Sequence, residues 1–513
     1  MAGCSLDRLA PELQHMIFAA VDTCDTPTLR LTCKSLAAVG LEYILPEVEL
    51  LFTPKSFERL RGISEHPTLS YHVKSLVYRA DSLRTCDNIH DWYEQIPQAA
   101  YIRFCDAHSC GPKPPGSEFW QEWAAWLGIN RLSRLDPSTQ TLFHDAWVKY
   151  QALWNQQHEL RRSGFGQAII MTALSKLPRL KNIVLSNHVD MADPKKDRDY
   201  HGQYLNLKAH ADVLAASVGD QGYSHCSGNP HLLSLLRGIV HGNIAVKNLS
   251  FGWVEWHFFE ILGIIDLVRR ALRSLTALKM RLIGYIDLPD YPSSVADLVL
   301  AFFQSLPNLE TLDVIFDAPG DFEQRIDLTA VFGNIVWRNL RVLSLEDLKT
   351  SQISLIDFLE RHARTLKVLR IGFIELREGT WPQIWAWVRN LLDLVDFGIR
   401  EDICLKNEAD TAVGHCECWD NREKIRNYVL RAAGTEYYTA YDLCKIHGHE
   451  SIRRGPQADP AWERWSKVLQ LTSSRGKHMP MEARGKRKKT DSKGGKKQSG
   501  TDMLRLSFQR GIH

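Results

Sequence analysis

The sequence predicts an α/β protein: a three-helix N-terminal unit, then an irregular curved solenoid of alternating strands and helices that carries a helical insertion, and a disordered basic C-terminal tail. Three observations predict it. Residues 6–50 carry helix signals in quick succession, an apolar-x-x-apolar-x-apolar pattern recurs from Val73 onward, and positive charge collects near the C-terminal end. The 513 residues, 24% charged and 44% hydrophobic, sit near the globular average, which excludes a collagen-like, wholly disordered or disulfide-scaffold chain. No uncharged apolar run approaches the roughly 18 residues of a membrane span. The nearest, Phe258–Val268, carries Glu260 and Asp266. Asp7, Arg8 and Pro11 interrupt any signal-like apolar stretch. Eleven cysteines without a regular frame suit free thiols in a reducing compartment, so the expectation is a soluble protein of the nucleus or cytoplasm, with no membrane partner.

The N-terminal elements follow from local signals. Pro11 suits a first helical position, where its missing N–H costs nothing, and Glu12 complements the helix dipole. Leu13, Met16, Ile17, Ala20 and Val21 then recur at helical spacing and predict one apolar stripe. Thr26 is placed to cap a second helix with Pro27 as its first residue. Leu29, Cys33 and Leu36 mark that helix's buried face, and Leu41, Ile44 and Leu45 a third segment before Pro46. So small a bundle buries too little of its own surface, and Leu9, Pro11, Leu13 and their neighbours need a partner.

The string LDRLAPELQHMIF, followed by DTPTLRLTCKSLAAVGLEYIL and a trailing Leu-Pro-x-Val-x-Leu, resembles an F-box over Leu6–Leu50. It departs in Ala10–Pro11, where many members place proline directly after leucine. The resemblance implies that these helices dock on a Skp-type adaptor and, through it, a cullin. Leu9, Pro11, Leu13, Ile17, Leu29, Cys33 and Leu36 are the implied adaptor-binding positions.

The recurrent pattern is read at Val73/Leu76/Tyr78, Leu180/Ile183/Leu185, Val246/Leu249/Phe251 and Leu275/Leu278/Met280. It continues at Leu309/Leu312/Val314, Leu340/Leu343/Leu345, Leu366/Leu369/Ile371 and Leu394/Phe397/Ile399. From Val246 the units are at or above the long end of the roughly 20–29 residues of leucine-rich repeats. The usual turn Asn is missing, with Leu348 and Ile374 at the matching places. With helix-like stretches between the strands, this predicts a leucine-rich-repeat-like solenoid over residues 51–470, each unit burying its apolar face against its neighbours. A helical insertion at about 117–177 and a polar loop at about 187–230 interrupt it. In the insertion, Trp147, Tyr150, Leu153 and Trp154 share a helical face. The order WVKYQALWNQQHELRR, ALSKLPRLKNIVLSN, HLLSLLRGIV, IAVKNLSF and finally NREKIRNYVLRAAG resembles fungal F-box proteins with degenerate leucine-rich repeats, over most of residues 1–435. In such proteins the repeat domain selects a target protein; the positions expected to meet it here are Glu310, Thr311, Asp313, Arg341 and Ser344.

Catalytic signatures are missing: there is no phosphate-binding GxxxxGK[ST], no nucleophile elbow and no HExxH. The expectation is a protein that is not an enzyme and takes no cofactor. His415, Cys416, Cys418, Cys444, His447 and His449 are donor types that zinc uses, but Cys-x-Cys is tighter than the usual knuckle, so no metal is expected. Ten Lys/Arg against Glu482 and Asp491 between Arg475 and Lys497 give +8, leaving the rest at −5 within an overall +3. The body therefore shows no global bias towards nucleic acid, and nonspecific contact with it is left to the tail, 471–513. Within it Lys486, Arg487, Lys488 and Lys489 read as a nuclear import signal or as solvated charge. The leading function is target recognition within a Skp–cullin–F-box ubiquitin ligase. The alternatives are a repeat scaffold acting outside a ligase and a nuclear polyanion-binding protein led by the tail.

Overall fold

The computed structural model describes residues 6, 9–22, 25–80, 83, 85–92, 137–186, 228–283, 291–317, 325–399, 404–405, 414–415 and 422–431. The chain divides into two compact units: Met1–Ser82, Asn155–Ala192 and Gly222–His447 form one, and Leu83–Trp154, Asp193–Gln221 and Gly448–His513 the other. The polar segment up to residue 227 and the whole tail, with Lys486–Lys489, lie outside the described residues.

The first unit opens with four short helices, α1 (Pro11–Ala20), α2 (Thr26–Arg30), α3 (Lys34–Val39) and α4 (Leu41–Ile44). The expected second helix is split into α2 and α3 at Leu31–Cys33, and the third segment, α4, follows Gly40, where a Cβ would run into Phe18 and Arg30. Thr26 starts α2 instead of capping it, and its hydroxyl donates to the Asp22 carbonyl at 3.4 Å.

The solenoid begins with β1 (Glu47–Leu51), α5 (Pro54–Glu65), α6 (Leu69–His72) and β2 (Ser75–Arg79). After the long α7 (Pro137–Ser163) come α8 (Phe165–Leu174), β3 (Asn182–Ser186), α9 (Asn229–Gly242) and β4 (Asn248–Glu255). Then follow α10 (Ile264–Ala271), β5 (Ala277–Ile283), α11 (Tyr291–Gln304), β6 (Thr311–Asp317), β7 (Ile326–Asp327) and α12 (Leu328–Phe332). The last turns hold β8 (Val342–Glu346), β9 (Leu348–Thr350), α13 (Gln352–Glu360), β10 (Val368–Gly372), β11 (Glu375–Leu376) and α14 (Trp381–Leu391). β12 (Asp396–Ile399), β13 (Cys404–Leu405), β14 (Gly414–His415) and α15 (Arg422–Val429) end the described chain.

Nine strands form one parallel sheet in the order β1-β2-β3-β4-β5-β6-β8-β10-β12. All eight sequence patterns fall on its strands, and in register: Leu76, Ile183, Leu249, Leu278, Leu312, Leu343, Leu369 and Phe397 stand side by side. Each is at most 2% exposed, so one face of the sheet is buried under the helices, as successive residues of a strand must alternate. The ninth strand, β1, is the Val48–Leu50 stretch read as the trailing end of the helical unit; it pairs with β2 and starts the solenoid.

On the covered face α5, α8, α9, α10, α11, α12, α13, α14 and α15 pack in consecutive order. Thus α8, inside the stretch read as a helical insertion, is a member of the helical row, and β3 lies directly against β2. Phe259, Phe302, Phe303, Phe332 and Phe358 carry ring contacts from unit to unit at 4.9–5.3 Å between centroids. At the end of this run the Trp337 N–H donates to His362 Nε2 at 3.1 Å, while His362 Nδ1 meets the Phe358 carbonyl at 2.9 Å. Both ring nitrogens are committed to the neutral form, and burial lowers the imidazole pKa.

A second, smaller sheet runs β14-β13-β11-β9-β7 and explains the missing turn Asn. Asp347 and Phe373 adopt φ of 64° and 45°, turning the chain from β8 into β9 and from β10 into β11. Asp tolerates that left-handed region; Phe pays for it. Leu348 and Ile374 then drop fully into the core one residue later. Asp347 also receives Arg325 Nε at 2.6 Å in a buried ion pair.

In the second unit, Trp92, Trp147 and Tyr150 form one aromatic cluster with centroids 5.5–6.0 Å apart. The α7 face predicted from Trp147, Tyr150, Leu153 and Trp154 is thus the buried one, its first two members fully so.

Candidate functional site

In α1 the buried positions are Gln14 and Phe18, four residues apart. The apolar stripe read along α1 lies mostly outward: Leu13 is 47% exposed and Met16 67%, with Ala20 exposed and Ile17 and Val21 half-buried. Chemistry at Gln14 sets the rotation. Its amide Nε2 donates to the Leu9 carbonyl at 3.0 Å, to the Leu6 carbonyl at 3.4 Å and to Ser35 Oγ at 3.2 Å, tying the chain before α1 to α3. Phe18 stacks on Tyr43 at 5.5 Å, and Arg30 Nε donates to the Ala37 carbonyl at 3.0 Å. Burial, then Glu42, raises the Tyr43 phenol above its ordinary range, so it stays neutral.

The bundle therefore leaves several large apolar side chains exposed. Leu6, Leu13, Met16 and Leu31, the last 88% exposed, stand with exposed Pro11 on a bundle of only four helices. Leu9, Ile17, Leu29 and Cys33 are half-buried beneath them. Leu36 is wholly buried and holds α3 in place, offering no surface. Leu6, Met16 and Leu31 are not among the implied adaptor-binding positions, because apolar periodicity names a face of a helix without saying which of its members a partner can reach.

Among the described residues the bundle meets the strand–helix series at α6. α4 packs on α6, and the Arg179 guanidinium lies over the Tyr71 ring at 4.0 Å, donates to its hydroxyl at 2.9 Å and reaches Glu42 at 3.7 Å.

The sheet face opposite the helical row is the second surface. Its charges are partly self-satisfied: Arg79 meets Glu49 at 2.7 Å, and Asp396 receives Arg370 and Arg426 at 3.2 Å each. Burial, opposed by Arg79, still raises the Glu49 carboxyl pKa. Of the expected target contacts, Glu310 and Arg341 are exposed on adjacent strand starts, and Thr311 and Asp313 are half-exposed. Ser344 is closed in at 1% exposure.

Of the cysteine/histidine cluster only His415, in β14, falls among the described residues. Among those residues no group of three or more His, Cys, Asp or Glu is placed to hold a metal ion, and no helix is long and apolar enough to cross a membrane. No protein-family model matches the chain, and neither does any curated protein.

Proposed function

We propose that the chain is the target-recognition subunit of a Skp–cullin–F-box-type ubiquitin ligase, acting by proximity with no covalent chemistry of its own. The α1–α4 bundle would carry the adaptor, and the sheet face opposite the helical row the target. Holding a target lysine near a charged conjugating enzyme raises effective concentration, which needs two docking surfaces at a fixed separation and no catalytic group.

The observation that carries this reading is the set of large apolar side chains that the bundle leaves exposed. Leu13, Met16 and Leu31 lie 47%, 67% and 88% exposed on a bundle too small to bury them. Several large apolar side chains left exposed on one small bundle are the mark of a protein interface. The Arg179 junction supports it further, because a packed joint between bundle and sheet would hold target and adaptor at a set distance.

The test is recovery of a Skp-type adaptor and cullin by the full-length protein. Burying an aliphatic side chain contributes roughly 1.5–3 kcal/mol, so two truncations should weaken adaptor binding about a hundredfold or more. Leu9→Ala with Pro11→Ala, and separately Leu13→Ser with Met16→Ser, should both abolish recovery. The second pair is exposed, so its circular dichroism and melting curve should match wild type. Full adaptor binding by that folded variant would remove the proposal.

A further inference from the structure

The three strands β2, β3 and β4 are each entered through a lysine. Lys74, Lys181 and Lys247 immediately precede Ser75, Asn182 and Asn248, which are partners in the ladder. The lysine backbones are bonded in series, Lys181 N to the Lys74 carbonyl at 2.9 Å and Lys247 N to the Lys181 carbonyl at 2.8 Å. Three ammonium side chains therefore leave one rim of the sheet at the strand spacing of about 4.8 Å. All three are exposed, and among the described residues none forms an ion pair.

The surroundings add to the same sign. Segments 71–75, 175–182, 241–248 and 272–277, which lead into β2, β3, β4 and β5, hold six Lys/Arg and no Asp or Glu. Lys176 is met by Glu65 at 3.4 Å and Arg179 by Glu42 at 3.7 Å, while Arg273 bonds the Asn243 amide oxygen at 2.8 Å. The three in-line lysines are left uncompensated. Like charges set opposite one another across a ladder are destabilising, and an anionic chain laid along them reverses that contribution.

We propose that this rim binds an acidic segment of a partner protein, a run of Asp and Glu in extended conformation. Charge sets the sign of the ligand, and two further features set its class. The one tyrosine or other large aromatic in these segments, Tyr71, already carries Arg179 over its ring at 4.0 Å, so the rim offers a single engaged ring in place of the row of rings on which successive nucleobases stack. The next register row supplies peptide-like groups: the Asn248 amide donates to Asn182 Oδ1 at 2.6 Å, which leaves Asn182 Nδ2 and Asn248 Oδ1 for a peptide backbone. At the end of that row Ser75 donates to Glu47 at 3.1 Å, a carboxylate that stops the basic strip at β1. The inference stands apart from the adaptor reading, since it uses neither the exposed apolar side chains of the bundle nor the ligase.

The experiment titrates a fluorescent peptide of alternating Asp and Glu into the full-length protein at low salt. Wild type should bind it with an affinity that falls steeply as salt rises. K74Q/K181Q/K247Q, all solvent-facing changes, should bind about tenfold more weakly with an unchanged melting temperature. The charge-matched control R338Q/R364Q/K367Q, on the same rim but at β8 and β10, should bind like wild type. Equal weakening by both triples would overturn the site in favour of diffuse net charge. Tighter binding of a single-stranded oligonucleotide or of phosphatidylserine vesicles of matched charge, lost in the lysine triple, would overturn the acidic-protein assignment.

Discussion

Acidification from pH 7 to pH 5 should loosen the solenoid through one residue, His231. Its ring sits at the start of α9 with Nδ1 2.8 Å from the Tyr78 hydroxyl, against the Phe52 ring at 4.8 Å. Burial first, and then the Arg161 charge, push its pKa down to about 3. Burial likewise holds the Tyr78 phenol far above its ordinary range, so the phenol donates to a neutral imidazole. In the unfolded chain the same imidazole titrates near 6.5. The unfolded state therefore binds more protons at every pH between about 3 and 6.5, and stability must fall as pH falls through that window. From pH 7 to pH 5 the loss is about 2 kcal/mol, approaching roughly 1.4 kcal/mol for each further pH unit. The assay is urea unfolding followed by tryptophan fluorescence at the two pH values, in wild type and in Tyr78→Phe with His231→Leu. Removing both partners leaves no orphaned polar group, so the double variant should fold and should lack this share of the acid sensitivity. If both proteins lose the same stability between pH 7 and pH 5, His231 is not held neutral in the fold and the reasoning fails.

Other perturbations probe separate parts of the chain. Gly40→Val would drive a side chain into Phe18 and Arg30 and should destabilise the helical bundle by about 1–3 kcal/mol, seen as early loss of amide protection in residues 11–44 while β4–β10 stay protected. Arg325→Met takes the guanidinium from buried Asp347 and should cost about 3 kcal/mol in urea unfolding; a cost under about 1 kcal/mol would mean the turn needs no ion pair. Deleting residues 471–513, a segment poor in apolar side chains, should leave the melting temperature unchanged within a degree or two.

The strand series was legible because one short pattern reports a single physical requirement, two inward side chains in each strand and a third in the turn that leads into it. That is why Leu76 through Phe397 could be placed before any coordinates. β1 escaped because Val48 and Leu50 also complete a plausible end to the helical unit, and pattern alone does not say which neighbour a segment pairs with. The candidate site was half legible. An apolar stripe along α1 is visible in sequence, but its direction is set by Gln14, whose amide reaches Leu6, Leu9 and Ser35, a long-range arrangement that polar periodicity does not encode. The lysine rim was hidden for a different reason. Lys74, Lys181 and Lys247 lie far apart in a chain of almost balanced charge and become neighbours only through the register of the ladder.

That ladder has an unequal history along its length. From β4 to β12, each new strand closes onto the one before it across 26–34 residues, as between Leu343 and Leu369 or Leu278 and Leu312. Bringing Ile183 to Leu76 spans 107 residues, and Leu249 to Ile183 spans 66. Loop-closure entropy grows with the logarithm of that span, so seating β2 on β3 carries about 1 kcal/mol more than a single-repeat closure. In a quasi-one-dimensional array, where each unit is stabilised only by its neighbours, assembly begins where closure is easiest. The C-terminal repeats should therefore act as the nucleus on which the N-terminal strands dock last, although the ribosome delivers them first. A newborn chain would hold its outward apolar helices before the platform that orients them exists, which makes the interval between synthesis and final docking the period in which this protein most needs a chaperone or its partner.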